Sequence, residues 1–239
     1  MRSTRDALCV ALDGTEREWL LATATAVADV AGWVKVGLEA FTAHGPGLVT
    51  ELAGRAGKVF LDLKLHDIPA TVRRAAANSA ACGARMMTVH AAGGPAMLEA
   101  AVAGVREAGV EPPPLVVAVT LLTSLDAATL DELGLAASPA DLVTGWARLA
   151  RRCGVDGVVC SAHEAAAVRS AVGEPFLIVT PGIRPAWAGR DDQRRVSTPR
   201  EARAAGADIL VVGRPITGAR SPREAAREVL EEIEAGRGA

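Results

Sequence analysis

Apolar and polar positions along this chain alternate at a long period. Short runs rich in Val, Ile and Leu are each followed by a longer, alanine-rich stretch. The runs cover residues 7–13, 33–39, 59–65, 86–91, 115–123, 157–162, 176–183 and 209–216. Within a run the apolar residues are nearly continuous, the pattern of a strand buried on both faces in a parallel sheet. The intervening stretches, such as 16–30, 47–54 and 68–82, read as helices. Eight strand-then-helix units follow one another, and no Pro/Gly/Ser linker divides them. The segments 111–114 and 184–192 read as loops within the series. The pattern predicts one domain over residues 1–239, a closed α/β TIM barrel of the (β/α)8 type. A doubly wound open sheet is the alternative; eight regular units and the lack of a G-x-G-x-x-G turn favour the barrel.

Local punctuation fits that division. Ser221-Pro222-Arg223-Glu224 carries an N-cap serine, proline at the first helical position and glutamate at the third, which predicts a capping box. Thr198-Pro199-Arg200-Glu201 and Ser138-Pro139-Ala140-Asp141 repeat the design.

Composition narrows the class. The chain has 239 residues, half of them hydrophobic, with a formal net charge of −2. Its arginines are scattered among 28 acidic residues, so no basic stripe marks a nucleic-acid partner. The first ten residues hold no apolar run of signal-peptide length, and nothing approaches the ~20 apolar residues of a membrane span. Cys9, Cys82, Cys153 and Cys160 are far apart, which suits neither a disulfide framework nor a zinc site. The four histidines form no H-x-x-x-H or H-E-x-x-H pattern, so no metal is expected. A reduced cytoplasmic protein is the expectation.

Active sites of such barrels lie at the C-terminal ends of the strands. Polar residues there are Asp13, Lys35, Glu39, Asp62, Lys64, His90, Thr123, Ser161, Arg184 and Arg214. Lysine usage singles out two of them. Only three lysines, Lys35, Lys58 and Lys64, stand against 23 arginines, yet Lys35 and Lys64 lie inside apolar strands. A lysine ammonium can donate its proton and a guanidinium cannot readily do so. A buried ammonium needs a carboxylate beside it. Strand period supplies one, because Asp62 and Lys64, two residues apart, would point to the same face. Asp67 would lie in the turn before the next helix, and Asp13 and Lys35 end the two preceding strands. Alternating acid and ammonium groups suit decarboxylation; a purely structural salt-bridge network plugging the barrel is the other reading.

A second constellation surrounds the last two strands. Gly213-Arg214 follows the eighth, and Thr180-Pro181-Gly182-Ile183-Arg184-Pro185 follows the seventh, opening a polar loop that runs through Gln193. Barrels often bind phosphate at these two loops, and Arg214 could add a charge-assisted contact. Ser161 lacks the context of a nucleophile elbow.

The segment LDLKLHDIPATV, with ALD at the first strand and VKVG at the second, resembles the orotidine 5′-phosphate decarboxylase family. VHAAGG at 89–94, TLLTS at 120–124, TPGIRP at 180–185, DDQRRV at 191–196 and VVGRPIT at 211–217 extend the resemblance over about residues 8–217, in the family's order and without departure. The D-x-K-x-x-D core by itself is shared with related phosphosugar decarboxylases and synthases, which would use Mg²⁺. The resemblance implies decarboxylation of orotidine 5′-monophosphate to uridine 5′-monophosphate without metal or cofactor. It implies Lys64 as proton donor to C6, Asp62 against the substrate carboxylate, and Lys35 holding Asp62 and the ribose. Asp13 would contact the ribose and Thr123 the pyrimidine edge, while Arg184, Gln193, Gly213 and Arg214 would bind the phosphate. Asp67 and Thr71 would reach into the site of a second copy, so the partner implied is an identical subunit. A non-catalytic phosphate-ligand barrel is the remaining alternative.

Overall fold

The computed structural model describes residues 3–188 and 197–236. Eight parallel strands close into a barrel: β1 Leu8–Leu12, β2 Trp33–Gly37, β3 Lys58–Leu65, β4 Ala84–His90, β5 Leu115–Val119, β6 Gly157–Val159, β7 Leu177–Thr180 and β8 Ile209–Val212. Each pairs with the next, and β8 returns to β1 through Leu8↔Leu210 and Val10↔Val212. The fold is therefore a single-domain TIM barrel, as the eight-unit pattern predicts. The helices between strands are α1 Arg17–Val27, α2 Leu38–His44, α3 Pro46–Ala56, α4 Pro69–Ala81, α5 Gly94–Glu107, α6 Ala127–Glu132, α7 Pro139–Arg152, α8 Ala162–Val172 and α9 Pro199–Ala204. After β8 come the one-turn α10 Arg214–Thr217 and α11 Pro222–Ala235.

Burial on both strand faces explains the continuous apolar runs. Along β1, Leu8, Val10 and Leu12 belong to the larger cluster packed under the helices, while Cys9 and Ala11 belong to a smaller one inside the barrel. That inner cluster takes Trp33, Phe60, Met86, Val117, Val179, Ile209 and Val211 from the other strands. The same alternation carries Lys35 and Gly37 inward, two and four residues beyond Trp33. The third lysine serves the opposite rim, where Lys58 lies 2.6 Å from Asp6 and stacks over the Trp33 ring.

Several strands are shorter than their apolar runs. β5 stops at Val119, so residues 120–123 form part of the rim, and the run at 209–216 turns at Gly213 into α10. Leu38 and Glu39 open α2, and Ala162 opens α8. Hydrophobicity reports burial, and rim residues such as Leu121 are buried although they lie beyond the end of the paired strand.

The predicted caps divide. Thr198 and Glu201 form a reciprocal capping box at α9. Ser138 accepts from the Asp141 N–H, but its own hydroxyl donates to the Asp141 carboxylate, so only one half of the box exists. Ser221 makes no side-chain cap at α11, and Glu224, the other half of the predicted box, pairs instead with Arg227 at 3.3 Å and Arg223 at 3.6 Å. A second full box, Ser161 with Glu164, starts α8 and accounts for Ser161 as a helix cap. Among the described residues no helix is long and apolar enough to cross a membrane.

Candidate active site

The inward-facing positions of β1, β2 and β3 converge on one charged cluster. Lys35 Nζ donates to Asp13 Oδ1 at 3.0 Å and lies 3.8 Å from Asp62 Oδ2. Lys64 Nζ donates to that same Asp62 Oδ2 at 2.8 Å. The order in space is Asp13, Lys35, Asp62, Lys64, with each inner charge shared between two opposite ones. Lys35 is only 8% exposed. Burial by itself would depress its pKa, yet the combined pull of Asp13 and Asp62 outweighs burial and holds it above the ordinary lysine range.

Asp62 and Lys64 do meet, though not by regular strand alternation. Leu61 pairs with Met87 and Leu65 with Val89, so Asp62, Leu63 and Lys64 stand opposite the single residue Thr88. The extra residues bulge from the ladder, and Lys64 takes φ +52°, a left-handed conformation costly for a side chain branching from Cα. Thr88 Oγ1 accepts from the Lys64 N–H at 2.8 Å and donates to Asp62 Oδ1 at 3.0 Å. Gly37 makes room on the other side. A Cβ there would lie 2.9 Å from Lys35 Nζ and 3.1 Å from Asp13 Oδ1.

Two adjoining cavities of about 200 Å³ each meet at Lys35, Pro181 and Val211. Together they fall within the roughly 300–1,000 Å³ typical of small-molecule sites. One is polar, lined by Asp13, Gly182, Arg184, Gly213 and Arg214. The other is largely apolar, with Phe60, Val119, Leu121 and Val159 forming walls around Asp62 and Lys64, and Thr123 at its edge. Cys160 lines it too, and burial pushes its thiol up. A charged cluster thus sits between a cationic compartment and a largely apolar one.

The structure separates other expected residues from this cluster. Asp67 is exposed, and its Oδ1 accepts from the Ile68 N–H at 2.6 Å rather than meeting Lys64. Thr71, on the first turn of α4, is half-buried nearby. Ile68 between them is 66% exposed. Glu39 is exposed at the start of α2. His90 packs against His66, ring centroids 5.4 Å apart, and its pKa is lowered by burial first and then by His66 and Lys64. Gln193 and the 191–196 motif lie outside the described residues. Among the described residues no group of three His, Cys, Asp or Glu side chains could hold a metal ion. Thr88 and Gly37 were not singled out by sequence reasoning. Gly37 within VKVG carried a signal as the lone glycine of its strand; Thr88 carried none.

Comparison with known proteins identifies the family. Residues 6–229 match the model of the Orotidine 5′-phosphate decarboxylase / HUMPS family. The chain is 54% identical over 222 residues to the orotidine 5′-phosphate decarboxylase of Anaeromyxobacter sp. strain K, covering 93% of this chain and 96% of that one. It is 50% identical over 234 residues to the enzyme of the same name from Moorella thermoacetica, with 96% and 93% covered. The crystal structure of orotidine 5′-phosphate decarboxylase from Lactobacillus acidophilus superposes with a TM-score of 0.85 at 37% identity, covering 96% of this chain and all of that one. With a family match over nearly its whole length, and half its residues shared with these relatives, the chain belongs to the orotidine 5′-phosphate decarboxylase / HUMPS family.

Proposed function

We propose that this protein is a carbon–carbon lyase that converts orotidine 5′-monophosphate to uridine 5′-monophosphate and CO₂ in de novo pyrimidine synthesis. The observation that carries the reading is the Lys64 ammonium, held 2.8 Å from Asp62 at the wall of an apolar cavity that opens onto a cationic one. A pyrimidine ring suits the apolar compartment, and a phosphate suits Arg184, Arg214, Gly213 and the loop carrying Gln193. Lys35 lines both, with Asp13 beside it in the polar one, where a ribose would lie. Thr123 at the cavity edge is assigned to the base.

In the reaction the bond from C6 to the carboxylate breaks, CO₂ leaves, and the electron pair stays on C6. Lys64 stabilises that charge with a cation fixed in advance, and then donates a proton from Nζ to C6. Lys35, 3.8 Å from Asp62, helps to aim that side chain, and Asp62 faces the departing carboxylate. No metal or organic cofactor takes part in this scheme. The active unit is a homodimer in the cytoplasm, with Asp67 and Thr71 serving the neighbouring site; the exposed Ile68 between them supports a contact there.

The test is loss of ultraviolet absorbance on adding orotidine 5′-monophosphate in the presence of EDTA. Lys64→Ala is expected to abolish turnover while uridine 5′-monophosphate still binds. Near-parental kcat in that variant would sink the assignment of the proton donor, and tight nucleotide binding without turnover in the parent would sink the activity.

A further inference from the structure

Thr88 is a buried hydroxyl on a strand whose neighbouring positions are apolar: Met86, Met87 and Val89 are each at most 1% exposed, as is Thr88 itself. Valine would fill the same volume there without the desolvation cost of an oxygen. The hydroxyl makes two hydrogen bonds, and both go to the β3 bulge. It accepts from the Lys64 N–H and donates to Asp62 Oδ1. The ladder leaves these groups behind, since pairing breaks off at Leu61↔Met87 and resumes at Leu65↔Val89. One side chain therefore substitutes for the missing strand contact of Lys64 and also orients the carboxylate that the Lys64 ammonium holds.

We propose that Thr88 is a positioning residue for the reaction, its hydroxyl fixing the left-handed backbone of Lys64 and the Asp62 carboxylate as one unit. This rests on the decarboxylase reading given above. Removing the hydroxyl leaves the Lys64 N–H unpaired and frees Asp62 Oδ1, so the ammonium loses its aim at C6. The ribose and phosphate contacts assigned to Asp13, Arg184 and Arg214 come from other elements and are untouched. The defect accordingly falls on kcat and spares KM.

The comparison is Thr88→Val, which removes the hydroxyl at constant volume, against Thr88→Ser, which keeps it. Thr88→Val is expected to lower kcat about ten- to hundredfold, the effect of losing a hydrogen bond to a charged group. Its KM stays within about threefold of the parent, and Thr88→Ser recovers kcat to within about threefold. Hydrogen exchange at the Lys64 amide, read by NMR without substrate, is expected to be slow in the parent and Thr88→Ser and fast in Thr88→Val. Should Thr88→Val not fold, Thr88→Cys, with its weak S–H donor, takes its place with the same expectations. The proposal is overturned if Thr88→Val keeps kcat within twofold, if Thr88→Ser falls as far as Thr88→Val, or if the Lys64 amide stays protected without the hydroxyl. A parent with no turnover of orotidine 5′-monophosphate sinks the activity instead, and the amide exchange then decides the positioning role alone.

Discussion

Asp62→Asn isolates the charge that two lysines share. The exchange keeps the shape of the side chain; with the Asn amide oxygen facing Lys64, its NH2 stands where Oδ1 was and donates to Thr88 Oγ1 instead of accepting from it. What disappears is the anion lying 2.8 Å from one ammonium and 3.8 Å from the other. The two nitrogens can be no further apart than those two distances laid end to end. At that separation and an effective dielectric constant of ~20, two unit charges repel by about 2.5 kcal/mol. Lys35 retains Asp13 at 3.0 Å, and the Lys64 side chain is 30% exposed, so water relieves part of the repulsion. A destabilisation of about 1–2 kcal/mol at pH 7 remains. Its pH dependence has a definite sign. Crowded ammoniums make the folded variant release a proton more readily than the unfolded chain, whose lysines titrate near ~10.4. The unfolded variant therefore binds more protons in this range, and the stability of the variant rises with pH relative to the parent. Urea unfolding at pH 7, 8.5 and 10 measures the difference directly. The deficit should shrink steadily from the first pH to the last. A variant as stable as its parent at pH 7, or a deficit that is constant or grows toward pH 10, would refute the shared-charge reasoning.

Three further outcomes follow from the same geometry. Gly37→Ala places a methyl against Lys35 Nζ and Asp13, so kcat/KM should drop at least about tenfold with little loss of stability, because φ −92° suits alanine; an unaffected kcat/KM would show that the close approach does not matter. Parent stability should fall as pH rises above about 8.5, because the unfolded chain then releases thiol and later lysine protons that the folded chain holds at Cys9, Cys160 and Lys35. An identical urea midpoint at pH 8 and pH 10 would contradict this. Glu164→Ala breaks the capping box of α8 and should cost about 1 kcal/mol in thermal or urea unfolding without changing KM; no measurable loss would mean the cap bond is already exchanged for water.

The barrel was legible because burial on both faces writes itself as continuous apolar runs, as in LCVAL of β1 and ILVV of β8. Lys35 and Lys64 were legible for the opposite reason, as rare charges interrupting such runs. Thr88 was not, since threonine is an ordinary strand residue and its importance comes from the irregular pairing across from it. Strand period placed Asp62 and Lys64 together for a reason the structure replaces: the bulge, not alternation, brings them into contact. The strand ends were overrun by apolar rim residues such as Leu121, which line the cavity without pairing. Ser221-x-x-Glu224 resembled Thr198-x-x-Glu201 in sequence, but Glu224 pairs with Arg227, a residue one turn further on that a four-residue pattern does not record.

Barrel closure has a consequence for how the two compartments come into being as the chain folds. Asp13, Lys35, Asp62 and Lys64 all come from the first 64 residues, and their strands pair with immediate neighbours in sequence. The charged cluster can therefore assemble from local contacts, at low loop-closure cost. The arginine compartment cannot. It needs the segments after β7 and β8 to meet β1, and β8 reaches β1 across nearly the whole chain. A ligand that spans both compartments ties an early-forming half to the last seam of the ring. Its binding energy then adds to the stability of the closed ring as a whole, growing with ligand concentration.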